Sequence, residues 1–178
     1  MNGEITDMTN APRRAIAIAI ATLMLTLIPG IPALAAVAPN APAPGFELPD
    51  LSGQSINLAQ YRGQVVMINF WASWCAPCRQ EMPLLEQMHK KYQPLGFTMI
   101  GVNVEPDSAK AVDWLKATPV TFPILLDTAS QVSKLYGVQG MPNTVIVDRK
   151  GNLRWLHRGY KPGDENEYLD QIRALVRE

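Results

Sequence analysis

The chain holds only two cysteines, Cys75 and Cys78, and both fall in the stretch NFWASWCAPCRQEMP, Asn69 to Pro83, with two of the four tryptophans. If a helix starts at Ala76 or Pro77, Cys75 is its N-cap and Pro77 lies in the first turn, where a missing N–H costs nothing. Cys78 then sits in the same turn. Thiols so spaced reach the Cα separation of about 4.4–6.8 Å that a disulfide requires, so the pair can close and open with little backbone movement. The unpaired N–H groups and positive dipole end of the helix stabilise a thiolate on Cys75, lowering its pKa from about 8.5. That thiolate can attack a partner's disulfide, giving a mixed disulfide that Cys78 resolves.

Other chemistries are open to two sulfurs. An inert cross-link would close too few residues to stabilise much. Zinc would need two further ligands, and His89 and His157 lack the H-x3–5-H spacing. A peroxidatic cysteine would want a threonine three residues before it, where Ala72 stands. A non-catalytic module that holds copper(I) with the same two sulfurs stays open as the alternative function.

The elements that must position these thiols follow from patterning. The run Gln64 to Phe70 is an apolar segment of strand length that leads into the cysteines. From Pro77 to Tyr92, Met82, Leu85 and Met88 recur at three-residue spacing, with Arg79, Gln80, Glu86, Gln87 and Lys90 on the expected polar face, and Pro83 interrupts the helix. Gly96 to Val104 reads as a buried strand, Asp107 to Ala117 as a helix, Phe122 to Asp127 as a short extended piece, and the residues up to Gly137 as a brief helix. Asn143 to Gly159 reads as a strand, a Lys150-Gly151 turn and a strand, followed by a terminal helix. Residues around Ser52-Gly53 carry a hairpin signal. Strands alternating with helices, then a late hairpin, imply an α/β domain with a mixed central β-sheet.

At 178 residues and 47% apolar content the chain supports one ordinary core. Sixteen basic and sixteen acidic residues cancel, without a long block of either sign, which excludes the electrostatic footprint of a nucleic-acid binder. The N-terminus is different. Arg13 and Arg14 precede an uncharged run from Ala15 to Ile28, and Ala33-Leu34-Ala35 fits an export cleavage site. Residues 1–35 are therefore expected to be a signal peptide, with an uncleaved membrane anchor as the rival. Residues 36–45, rich in Pro and Ala, are expected to be a stiff tether, and 46–178 the domain. The expected location is periplasmic, or inner-membrane anchored facing the periplasm if the segment is kept, which is also the only membrane contact expected.

The W-C-x-x-C motif after a buried strand, the proline-interrupted helix behind it and GMPNT downstream resemble the thioredoxin superfamily. FWASWCAPCRQEMP, VNVEPDS and GMPNTVIVDRKGNL together are most similar to the periplasmic TlpA/ResA/CcmG (DsbE) group of thiol-disulfide oxidoreductases. The resemblance implies a thioredoxin-like fold with helices on both faces of the sheet. It implies that Cys75 attacks, that Cys78 resolves, and that the two form a redox-active disulfide. It places an acidic residue that tunes the thiols at Glu81 and the superfamily's cis-proline at Pro142. Met141 would then offer its backbone to an extended partner segment. Trp74, Ala76 and Pro77 would flank the site, with Trp74 partly exposed and Trp71 in the core. No separate cofactor and no metal is implied. The implied client is an oxidised protein such as apocytochrome c, in cytochrome c biogenesis, and the implied electron donor a membrane or periplasmic protein of the DsbD/CcdA type. One departure stands out: thioredoxins proper carry a buried aspartate where Asn69 stands.

Overall fold

The computed structural model describes residues 39–178. The expected signal segment, its cleavage site and the start of the tether lie outside the described residues. Among the described residues, no helix is long and apolar enough to cross a membrane.

Five strands form the main sheet in the order β5-β4-β3-β6-β7. The central strand β3 (Val65–Trp71) runs parallel to β4 (Phe97–Asn103) and antiparallel to β6 (Asn143–Val147). β5 (Ile124–Leu126) continues the parallel side, and β7 (Leu153–Arg158) closes the antiparallel side as a hairpin partner of β6. The mixed sheet follows from the connections. β3, β4 and β5 are joined by helical crossovers, whereas β6 and β7 are joined by a tight turn at Lys150-Gly151. A separate hairpin pairs β1 (Glu47–Pro49) with β2 (Ser55–Asn57).

Every residue of β3 and β4 is buried, because both faces of the sheet are covered. Alternation still sorts their side chains. Val65, Met67 and Trp71 face one core with the helices α1 (Ala76–Tyr92), α2 (Ala109–Ala117) and α4 (Glu165–Leu175). Val66, Ile68 and Phe70 face a second core with β1, with Val132 of α3 (Gln131–Leu135) and with Tyr136 just after it. Helices thus lie on both faces, as expected. Gly101 makes the first core possible: a Cβ there would stand 2.7 Å from the Ile124 side chain and 3.3 Å from Trp71 Nε1.

Two expectations on the polar parts need correction. The expected tether is docked where it is described: Asn40 N–H donates to the Leu153 carbonyl at 2.6 Å, and Leu153 N–H donates to the Ala41 carbonyl at 2.8 Å. The Leu153 pair satisfies backbone groups that edge strand β7 leaves open, while Ala43 N–H donates to the Gly151 carbonyl in the turn before β7 and the Tyr136 hydroxyl donates to the Pro44 carbonyl. Prolines set the extended geometry, and the open edge supplies the partner. Glu86, assigned to the polar face of α1, is instead 8% exposed. Its carboxylate accepts from Thr121 N–H and Oγ1, both at 2.9 Å, and pairs with Lys90 at 2.8 Å. The loop leading to β5 has folded over that edge of the helix.

Candidate active site

β3 ends at Trp71, and a turn from Ala72 to Cys75, closed by Cys75 N–H donating to the Ala72 carbonyl at 3.1 Å, delivers the chain to α1. The turn is braced by Glu105, just beyond the end of neighbouring β4. Its carboxylate is 5% exposed and accepts from Ser73 N–H at 2.7 Å, Ser73 Oγ at 2.8 Å and Asn103 Nδ2 at 2.9 Å. Nothing in the composition of VNVEPDS singles Glu105 out, because the contact joins residues thirty-two apart.

Cys75 is the N-cap of α1, with extended backbone, and its sulfur accepts from Cys78 N–H at 3.2 Å. Pro77 lies in the first turn. Cys75 and Cys78 are joined as a disulfide with a Cα separation of 5.3 Å. Cys78 is 1% exposed and Cys75 5%, so the cap residue is the more accessible of the two. Around them Ala76 and Pro77 are exposed, and Trp74 is 66% exposed while Trp71 is fully buried. An indole held open to solvent beside a sulfur is a ready apolar contact for a docking chain.

Register brings the second loop to the same end of the sheet. Phe70 pairs with Asn143, so the residues before Asn143 meet the chain just where β3 ends. The Met141–Pro142 peptide bond there is cis. Met141 is half-buried and packs against the core that contains both cysteines, and the Pro142 carbonyl accepts from Gly159 N–H at 2.8 Å.

Glu81 projects from α1 into the core and is 1% exposed. Asn69 Nδ2 donates to its Oε2 at 3.0 Å and also to Thr144 Oγ1 at 2.9 Å. Burial pushes the Glu81 carboxyl up to about 7, against the opposing influence of Tyr168 and Asn69. The amide at position 69 therefore supports the carboxyl from β3, where thioredoxins proper have an acid of their own. His89, weighed as a metal ligand, is a core residue: it is 4% exposed, its Nδ1 accepts from Met99 N–H at 3.4 Å, and its ring meets Phe122 edge-on. His157 lies on β7, stacked on Trp155 and paired with Asp164 at 3.0 Å.

The sequence matches the AhpC/TSA family over residues 39–156. It is 34% identical over 139 residues to the thiol-disulfide oxidoreductase ResA of Geobacillus thermodenitrificans, covering 78% of this chain and 80% of that one. It is 39% identical over 127 residues to the thioredoxin-like protein YneN of Bacillus subtilis, covering 70% and 74%. Among solved structures, a Chlorobium tepidum protein named as a thiol:disulfide interchange protein DsbE superposes with a TM-score of 0.77 at 37% identity, over 79% of this chain and 99% of that one. With a thioredoxin-like sheet, a C-x-x-C pair at the start of α1 and these relatives, the chain belongs to the AhpC/TSA family and is a thiol-disulfide oxidoreductase of the ResA/DsbE-like kind.

Proposed function

We propose that the protein is an exported reductant of protein disulfides in which Cys75 attacks and Cys78 resolves. The observation that carries this reading is the cap. Cys75 sits outside the first turn of α1 with the Cys78 N–H directed at its sulfur, and it is the more accessible residue of the pair. On reduction, the helix end stabilises a thiolate there, which displaces one sulfur of a client disulfide. Cys78 then attacks the mixed disulfide, releases the client as a dithiol and regenerates the Cys75–Cys78 disulfide. An electron donor of the DsbD/CcdA type would return the pair to the dithiol. Glu81 favours this direction, because a carboxylate close to the thiols disfavours their charged form and so the easy departure of Cys75 as thiolate. Trp74 and the Met141–Pro142 loop form the partner-binding surface, with the Met141 backbone pairing an extended client segment. The client class is an oxidised protein, and oxidised apocytochrome c is the member that the family resemblance implies.

Trapping tests the assignment of roles. Cys78→Ser, expressed in its own periplasm and isolated without reductant, should carry covalent partners that dithiothreitol releases, whereas Cys75→Ser should carry few. Cytochrome c maturation proteins or apocytochromes among those partners would support the implied client. Equal trapping by both variants would reverse the attacker and resolver. Failure of the wild type to reduce insulin, with stoichiometric copper(I) uptake instead, would replace the enzyme reading with a metal-holding one.

A further inference from the structure

The carboxyl of Glu81 is only half satisfied. Its Oε2 receives Asn69, while Oε1 is buried with no hydrogen-bond partner. Two buried oxygens in its immediate surroundings are in the same condition, Asn69 Oδ1 and the Tyr168 hydroxyl, and of these only the phenol has a proton to donate. Tyr168, on α4, is fully buried in the core it shares with Cys78 and Met82 of α1, its hydroxyl is likewise unpartnered, and its influence on the Glu81 carboxyl is in the downward direction of a donor to the charged form. A phenol is a donor and an ionised carboxylate an acceptor, so each supplies what the other lacks. Leaving both unpaired would cost about 1–3 kcal/mol for each group, more when the carboxyl is charged.

Two hydroxyls near Glu81 can donate to it, Tyr168 and Thr144; Thr144 Oγ1 is already engaged by Asn69, whereas the Tyr168 hydroxyl has no partner. β3 and β6 present no titratable side chain to Glu81; in register they place Asn69 opposite Thr144, and β7 continues the row with His157 opposite Thr144. His157 is occupied by Asp164 at 3.0 Å and packs edge-on against the Tyr168 ring at 5.4 Å. Asp164, at the N-terminus of α4, is an acceptor already holding His157 and Lys161 N–H. Tyr160, after β7, is engaged with Glu165 at 3.1 Å. On its own helix Cys78 lies one turn before Glu81, and the two cysteines titrate only when the disulfide is reduced.

We propose that Tyr168 is a positioning residue for Glu81: its hydroxyl donates to Oε1 when the carboxyl ionises and so sets the pH at which Glu81 becomes charged beside the thiols. The proposal rests on the reading that Glu81 tunes Cys75 and Cys78. It assigns to α4, remote in sequence from the cysteines, a part in the protonation of the site.

The oxidised protein separates the two ideas, since its cysteines do not titrate. Carbon-13 NMR of the Glu81 side-chain carboxyl should show its midpoint raised by about one pH unit in Tyr168→Phe, because a donor to the charged form is lost. Tyr136→Phe, a buried phenol bonded elsewhere to Pro44, should leave it unmoved. An unchanged or lowered Glu81 midpoint in Tyr168→Phe overturns the proposal. If that variant does not fold, the wild-type hydroxyl proton of Tyr168 decides: a slowly exchanging resonance that shifts through the Glu81 titration supports the pairing, and one indifferent to it overturns the pairing. The reduced protein tests the underlying reading separately. Iodoacetamide rates against pH that superimpose for wild type and Glu81→Gln would remove Glu81 from thiol tuning, while the carboxyl midpoint would still decide the role of Tyr168.

Discussion

At the scale of single residues the proposed tuning of the thiols by Glu81 would act through its ionisation, and the consequences differ between the reduced and oxidised states. In the reduced protein, Glu81→Gln removes a negative charge from beside the thiols, so the pH midpoint for alkylation of Cys75 should fall. In the oxidised protein the same substitution should appear as stability. The unfolded chain releases the Glu81 proton near the ordinary value of 4.5, the folded chain only near about 7, so wild-type stability falls as pH rises through that window and is level above it. Glutamine carries no such penalty. Urea denaturation should find the two proteins similar at about pH 4 and the variant more stable by on the order of 3 kcal/mol at about pH 8. A difference independent of pH would show that Glu81 matters by shape alone.

At the level of elements, the site is a junction: β3 must end, the turn must form and α1 must begin with Cys75 as its cap. Glu105 joins that turn to β4 through Ser73 and Asn103. Glu105→Ala removes three accepted hydrogen bonds without touching the sulfurs, so insulin reduction should slow by about tenfold through lost positioning. The alkylation midpoint of Cys75 should stay in place, and a midpoint that moves with the rate would mean that Glu105 acts electrostatically. The limits of α1 were legible in sequence, since Pro77 marks the first turn and Met82, Leu85 and Met88 mark the buried stripe. The polar side was not. Glu86 reads as surface until the loop around Thr121 closes over it.

For the whole molecule, the domain extends to include the chain ahead of β1. Residues Asn40 to Pro44 bond to Leu153, Gly151 and Tyr136, which belong to or adjoin the distant β7 hairpin and α3. A chain starting at Gly45 should lose about 2–6 kcal/mol relative to one starting at Pro39, from four hydrogen bonds each contributing about 0.5–1.5 kcal/mol. Urea midpoints measure this, and equal midpoints would return the segment to the role of a tether. Insulin reduction under native conditions should be unchanged, because none of these contacts reaches α1.

The sequence by itself determined the parts whose physics is local. The spacing of Cys75 and Cys78 about Pro77 carries the redox chemistry, the apolar run before them carries the central strand, and the Lys150-Gly151 turn carries the antiparallel half of the sheet. Only the tertiary structure decided which polar residues are buried and whom they meet. Asn69, Glu81, Thr144 and Tyr168 come from β3, α1, β6 and α4, and Glu105, just past β4, reaches Ser73, just past the adjacent β3. A carboxylate reads the same in sequence whether water or protein surrounds it. Its ionisation is fixed by groups that come together only when the sheet pairs and the helices pack upon it.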